Sequence, residues 1–216
     1  MSYIYKIDRI ELYEQIKKYG KHIHGRVLDV GAGNFSRYRG LFNYTEYVKM
    51  NIDPGGNTDI VGVIENIPVS DNSFDAVVCT QVLGDVYELQ KAFSELSRVL
   101  RPGGTLLVTE NLFDSLHDQP HDFWRFTEHS LRRLAQESGF EVTILDRRGG
   151  YRSIVAQMRE RYWIERLHAH KKWYARLLSK LFKIQGEVAR FMDHRDHSAA
   201  NKIFTQGYIL IARKHG

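Results

Sequence analysis

Short apolar runs alternating with amphipathic helical stretches predict an α/β protein, a doubly wound and mostly parallel sheet with helices on both faces. Three observations carry this expectation. Apolar, β-rich runs stop at turn residues, as Val27-Leu28-Asp29-Val30 does at Gly31. Between such runs, apolar residues return at helical spacing, as from Tyr87 to Leu100. The chain has 216 residues, 43% of them hydrophobic, enough for one domain with a substantial core.

In chain order, Leu12, Ile16 and Tyr19, with Tyr13 beside them, predict an N-terminal helix over residues 8–19. A strand from Arg26 to Val30 ends at Gly31-Ala32-Gly33, a second runs from Tyr47 to Ile52, and a third from Phe74 to Thr80. After the helix from Tyr87 to Leu100, Arg101-Pro102-Gly103-Gly104 reads as a turn and Thr105 to Thr109 as a strand. Thr127 opens a helix whose apolar face is Leu131 and Leu134, and Gly139 closes it. Phe140 to Leu145 and Thr205 to Ala212 are the last two strands. The roughly fifty residues between them carry a helical pattern, and structureless loops of that length are uncommon. Residues 151–200 are therefore expected as a helical insertion before the last strand.

Composition narrows the function classes. The single cysteine, Cys79, excludes an internal disulfide framework, and no zinc-type Cys/His spacing surrounds it. No apolar run approaches the ~20 residues of a spanning helix. Residues 1–10 lack the apolar segment of a secretory signal, so a cytoplasmic address is expected. The formal charge of +5 is uneven: residues 1–149 hold 17 Lys+Arg against 21 Asp+Glu, residues 150–200 hold 11 against 5. A uniformly basic nucleic-acid binder would not be built that way.

The sharpest local signal is Val27-Leu28-Asp29-Val30-Gly31-Ala32-Gly33-Asn34. Glycines directly after a strand let a ligand approach the backbone where a Cβ would collide with it. The dinucleotide fingerprint needs a third glycine at position 36, where Ser36 stands, and the Gly-Lys-Ser/Thr of a P-loop is absent. Asp53, at the end of the next strand, can accept both hydroxyls of an adenosine ribose, a role compatible with NAD or S-adenosylmethionine; a turn-forming Asp before Pro54 is the structural alternative.

Further along, Glu65-Asn66-Ile67-Pro68, Asp71-Asn72-Ser73-Phe74-Asp75, Leu96 to Leu100 and Arg101-Pro102-Gly103-Gly104 follow in order. With the glycine loop, this series over residues 26–145 resembles the class I S-adenosylmethionine-dependent methyltransferases of small molecules, of the methyltransferase domain 11 type. The resemblance implies a Rossmann-like, seven-stranded sheet with S-adenosylmethionine as cofactor and S-adenosylhomocysteine as product. It implies that Asp29, Gly31, Ala32 and Gly33 hold the methionine end of the cofactor and Asp53 the ribose. Ile64 and Glu65 would cradle adenine, while Thr80 and Gln81 would flank the sulfonium. The chain departs from the pattern at Val63, where relatives place an acid, and at Gly84-Asp85, where they carry Glu-His. The chain is then divided as 1–25 N-terminal helical cap, 26–149 cofactor-binding core, 150–200 basic helical insertion and 201–216 last strand, all within one methyltransferase domain, 1–216.

The segment His117-Asp118-Gln119-Pro120-His121-Asp122-Phe123-Trp124-Arg125-Phe126-Thr127 follows the strand from Thr105 to Thr109. Methylating a hydroxyl needs a base near pH 7, and histidine's ordinary pKa suits it. His117 or His121 could take the proton, with Asp118 or Asp122 orienting the ring. The alternative is a structural lid in which Arg125 pairs with Asp122, Thr127 caps the helix and the aromatic side chains pack. No metal is expected, because the His-Asp spacing matches no common zinc signature. No Asn/Asp-Pro-Pro-aromatic element of base amino-methylation follows the strand from Phe74 to Thr80, and Cys79 lies inside that strand rather than on a nucleophile's loop.

Residues 158–183 place Trp163, Leu167, Tyr174, Leu177, Leu178, Leu181 and Phe182 near one helical stripe, with Arg159, Arg161, Arg166, Lys171, Lys172, Arg176, Lys180 and Lys183 around it, a basic amphipathic helix or a pair of them. A solvated lid, a membrane-surface or lipid-carrier contact, and nucleic acid or an acidic partner are the three uses open to it. The first expectation for function is O-methylation of a small-molecule or glycan hydroxyl. RNA methylation, and a catalytically silent cofactor-binding protein that docks a membrane or protein partner through its basic helices, are the alternatives.

Overall fold

The computed structural model describes residues 4–33, 36–55, 58–169 and 172–216, so Asn34 of the glycine motif and Lys171 of the basic segment lie outside the described residues. Seven strands, β1 His24–Val30, β2 Asn43–Asn51, β3 Ile60–Val61, β4 Phe74–Thr80, β5 Leu100–Asn111, β6 Phe140–Arg148 and β7 Gly207–Lys214, form one sheet in the order β3-β2-β1-β4-β5-β7-β6. The pairings from β3 through β5 are parallel. Strand order reverses between β1 and β4, and in such sheets ligands bind beyond the carboxyl ends of the strands at that point.

Two compact units make up the chain: Met1–Gln15, Leu112–Ser115 and Arg147–Gly207 in one, Ile16–Asn111, Leu116–Asp146 and Tyr208–Gly216 in the other. In the sheet unit, β4 is buried along Ala76 to Cys79, the continuous apolar run expected of an interior parallel strand. Helix α2, Leu89–Val99, lays Ala92, Phe93, Leu96 and Val99 into the core at three- and four-residue spacing. Its polar face has a second task. Glu95 accepts from the Ile67 amide at 2.8 Å, and the Arg98 guanidinium donates to the Ile67 and Val69 carbonyls, each at 2.8 Å, so α2 fixes the segment that presents Ile64 and Glu65. Helix α3, Glu128–Glu137, begins with a capping box between Thr127 and Ser130 and buries Leu131 and Ala135. Gly139, at φ +81°, supplies the left-handed residue that ends it.

The expected turn at Arg101-Pro102-Gly103-Gly104 is a correction. These residues run within β5, where Leu100 pairs with Phe74 and Thr105 with Ala76, so extra residues are absorbed as an irregularity with Gly103 at φ +75°.

In the other unit stand α4 Tyr151–Arg166, α5 Ala175–Arg195 and the short α6 Ala199–Lys202, so the basic segment is a pair of helices rather than one. The break falls after Leu167, with His168 at φ +47°. The start of α1, Ile7–Tyr19, packs there: Ile4, Tyr5 and Ile7 share a cluster with Ile164, Phe182 and Ala189. Phe182 faces inward, whereas Leu177 and Leu181 are 60% and 54% exposed, so the apolar residues of α5 divide between two faces.

Candidate active site

Beyond the carboxyl ends of β1, β2 and β4 lies a cleft of about 740 Å³, in the range of small-molecule sites. One wall is the loop after β1. Gly31 and Gly33 adopt φ +69° and +60°, and a Cβ on Gly31 would collide with Val82. Among the described residues nothing lies within 4 Å of a Cβ position on Gly33, which leaves room for a ligand along the loop. Asn51 shapes this loop, its Oδ1 accepting from the Gly33 amide at 2.8 Å while its amide donates to Thr58. Asp53 stands exposed on the same wall two residues after β2, with Ile64 and Glu65 along the cleft.

The opposite wall is built on residues 81–87. Gln81, at φ +58°, turns the chain out of β4, and the buried Glu110 accepts from the Val82 and Leu83 amides at 3.0 and 2.8 Å. Burial pushes the Glu110 carboxyl up to about 8, an effect those amides only partly offset. The Gly84 carbonyl accepts from the Phe123 and Trp124 amides at 2.9 and 3.0 Å, and the Trp124 indole donates to the Val86 carbonyl at 2.9 Å. The loop after β5 is thereby locked to the loop after β4. Tyr87 and Phe123 meet edge to face at 5.4 Å and, with His121 and Asp118, line the cleft.

Of the candidates, Gly31, Gly33, Asp53, Ile64, Glu65, Gln81 and His121 line the cleft. Asp29, Ala32 and Thr80 do not. Asp29 is buried within β1 and accepts from the Tyr47 hydroxyl at 2.6 Å. Burial pushes its carboxyl up to about 7 against the opposing effects of Tyr47 and Lys49. The Ala32 amide donates to the Met50 carbonyl at 3.3 Å, and Thr80 closes β4 opposite Thr109.

Asp122 takes the part that the lid alternative gives it, paired with Arg125, while its Oδ2 also lies 3.6 Å from His117 Nδ1. Its carboxylate accepts from both Arg125 nitrogens, at 2.6 and 2.9 Å, and from the His117 amide at 3.0 Å. Arg125 holds it down at about 2, so Asp122 is a poor base and a firm loop staple. His117 stands behind the cleft wall between Asp122 and Asp85, 3.6 Å from each. Asp85, His117 and Asp122 together offer three ligand atoms within 4.8 Å of one another, but the Arg125 guanidinium bonded to both Asp122 oxygens opposes a cation there. Glu110, Asn51 and Asp85 were not singled out as site residues from the sequence. Only Asn51 carried a local signal, its place beside Asp53 at a strand end.

Residues 28–108 match the methyltransferase domain family. A ubiquinone/menaquinone biosynthesis C-methyltransferase UbiE of Bartonella bacilliformis is 33% identical over 124 residues, 54% of this chain and 42% of that protein. The UbiE of Bartonella quintana is 29% identical over 148 residues, 65% and 49% respectively. The chain thus spans less than half the length of these relatives. Among solved structures, the cyclase SpnF superposes with a TM-score of 0.61 at 23% identity, covering 96% of this chain and 80% of that one. A putative methyltransferase of Bacillus halodurans gives 0.59 at 16%, covering 94% and 99%. These likenesses establish the Rossmann-like methyltransferase fold.

Proposed function

We propose that this chain, whose residues 28–108 belong to the methyltransferase domain family, is an S-adenosylmethionine-dependent methyltransferase acting on a hydroxyl of a small molecule or glycan. The observation that carries the reading is one cleft at the strand-order reversal that unites the open Gly31 to Gly33 loop, Asp53, and a wall bearing His121. The Gly31 to Gly33 loop would hold the methionine end, Asp53 the ribose hydroxyls, and the segment from Val63 to Glu65 the adenine. When bound, S-adenosylmethionine supplies an electrophilic methyl on a sulfonium, open to in-line attack.

The chain's own work is alignment and proton removal. Tyr87 and Phe123 offer an apolar wall against which a flat acceptor can lie. His121 takes the hydroxyl proton as the acceptor's electron pair moves toward the methyl. Residues 81–87 and 117–125, locked together through Gly84, keep His121 in place. His121→Ala is expected to lower the rate of methyl transfer by about 10²–10³-fold while S-adenosylhomocysteine affinity stays within about twofold of wild type. An undiminished rate would remove His121 from the role of base.

A second reading follows from the activity named for the UbiE relatives, transfer to carbon. The same deprotonation would raise electron density on a ring carbon beside the hydroxyl. Carbon-13 NMR of the labelled product distinguishes an O-methyl from a C-methyl carbon.

A further inference from the structure

Helix α5 presents two apolar faces, and only one is covered. Its inward face is Ala175, Phe182, Gly186 and Ala189, all buried. On the outside stand Leu177, Leu181, Ile184, Val188 and Phe191, each between 53% and 65% exposed. Their spacing of four, three, four and three residues holds them within an arc of about 80° at 100° per residue. Arg176, Lys180 and Lys183 adjoin that arc, all on one side of it, and form no ion pair among the described residues. Glu187, the one acid on this flank, is held by Arg190 at 3.1 Å. Trp173, just before the helix, is 89% exposed, more than any other large apolar side chain among the described residues.

We infer that this face of α5 docks on an anionic lipid bilayer, the helix lying in the interface with its apolar stripe inserted and its cations among the headgroups. Charge selects this occupant over a second copy of the chain. Two α5 helices packed antiparallel through the stripe would set basic flank against basic flank. Packed parallel, they would set it against the neutral Gln185 and Met192. Neither arrangement pairs the cations, whereas an anionic surface receives the stripe and the charges together. Exposed tryptophan at the edge of such a stripe fits the headgroup level. No helix among the described residues is long and apolar enough to cross a membrane, so the contact is peripheral.

The test is sedimentation of the full chain with phosphatidylcholine vesicles containing roughly one-third phosphatidylglycerol, against phosphatidylcholine alone, at low salt and at about 0.5 M salt. The expected result is at least about tenfold stronger partition to the anionic vesicles, lost at high salt, with a blue shift of tryptophan emission that Trp173→Phe removes. Replacing Arg176, Lys180 and Lys183 together by Gln should weaken partition about a hundredfold, at close to the known contribution of one basic residue each. The pair Leu181→Glu and Ile184→Glu should abolish it with the melting temperature unchanged; if that pair fails to fold, the glutamine variant carries the test. Equal partition to both vesicle types, no partition, or a dimer in equilibrium sedimentation that Leu181→Glu dissociates would each overturn the inference.

Discussion

Glu110→Ala is expected to destabilise the protein by about 2–4 kcal/mol and to loosen the cleft, because the Val82 and Leu83 amides would lose their acceptor in a buried site. Glu110→Gln keeps an acceptor oxygen and should recover most of that loss at neutral pH. The pair also separates on pH. The folded carboxyl releases its proton near 8, the unfolded one near its ordinary value of 4.5, so between those values the unfolded state binds fewer protons. Stability contributed by Glu110 is therefore complete below about 4.5 and lost as pH rises through about 8, at no more than ~1.4 kcal/mol per pH unit. Asp29 and Glu160, raised by burial to about 7 and about 8, act with the same sign, so the difference between wild type and Glu110→Gln isolates the one group. Urea unfolding at pH 5 and pH 8 measures it: the wild type should lose more stability than Glu110→Gln across that interval. Parallel slopes would mean that Glu110 is ionised throughout.

Asp53→Ala should lower affinity for S-adenosylhomocysteine by about two orders of magnitude with little change in stability. The side chain is exposed beyond β2, so its removal leaves no cavity. In the proposed role the loss is a charged acceptor for two ribose hydroxyls, each such hydrogen bond being worth about 1.5–3 kcal/mol where water is displaced. Calorimetry on the variant, beside its melting temperature, separates the two effects. A loss below about threefold would return Asp53 to the turn-forming role open to any Asp before proline.

These residues were legible to different degrees for a common physical reason. A glycine loop or an acid at the end of a strand leaves a local mark, so Gly31, Gly33 and Asp53 stand out in short runs of sequence and the family resemblance adds Gln81; all four line one cleft. Glu110 leaves none: it stands just past the apolar run from Thr105 to Thr109, and its bonds reach back across 27 and 28 residues. Asp85 was visible only as a departure from a pattern. Asp122 is ambiguous in the sequence, where a carboxylate beside two histidines suggests ring orientation and Arg125 three residues on suggests an ion pair; the structure shows that pair, through both carboxylate oxygens.

The fold shows the same division. β4 was read to its terminal residues because an apolar run bounded by turn residues is a local feature. The start of β5 was missed because Pro102, Gly103 and Gly104 are turn-formers by local preference, yet pairing with β4 keeps them in the strand. In α5, periodicity marks apolar residues on two faces and cannot tell which one the rest of the chain covers.

Whether the cleft takes an S-adenosyl cofactor is decided by calorimetric titration of the full chain with S-adenosylhomocysteine and, separately, with NAD. Saturable one-to-one binding of S-adenosylhomocysteine is expected and none of NAD, since Ser36 stands where a dinucleotide loop needs glycine. Binding of NAD in preference, or no binding of S-adenosylhomocysteine to the folded protein, would contradict the proposed function.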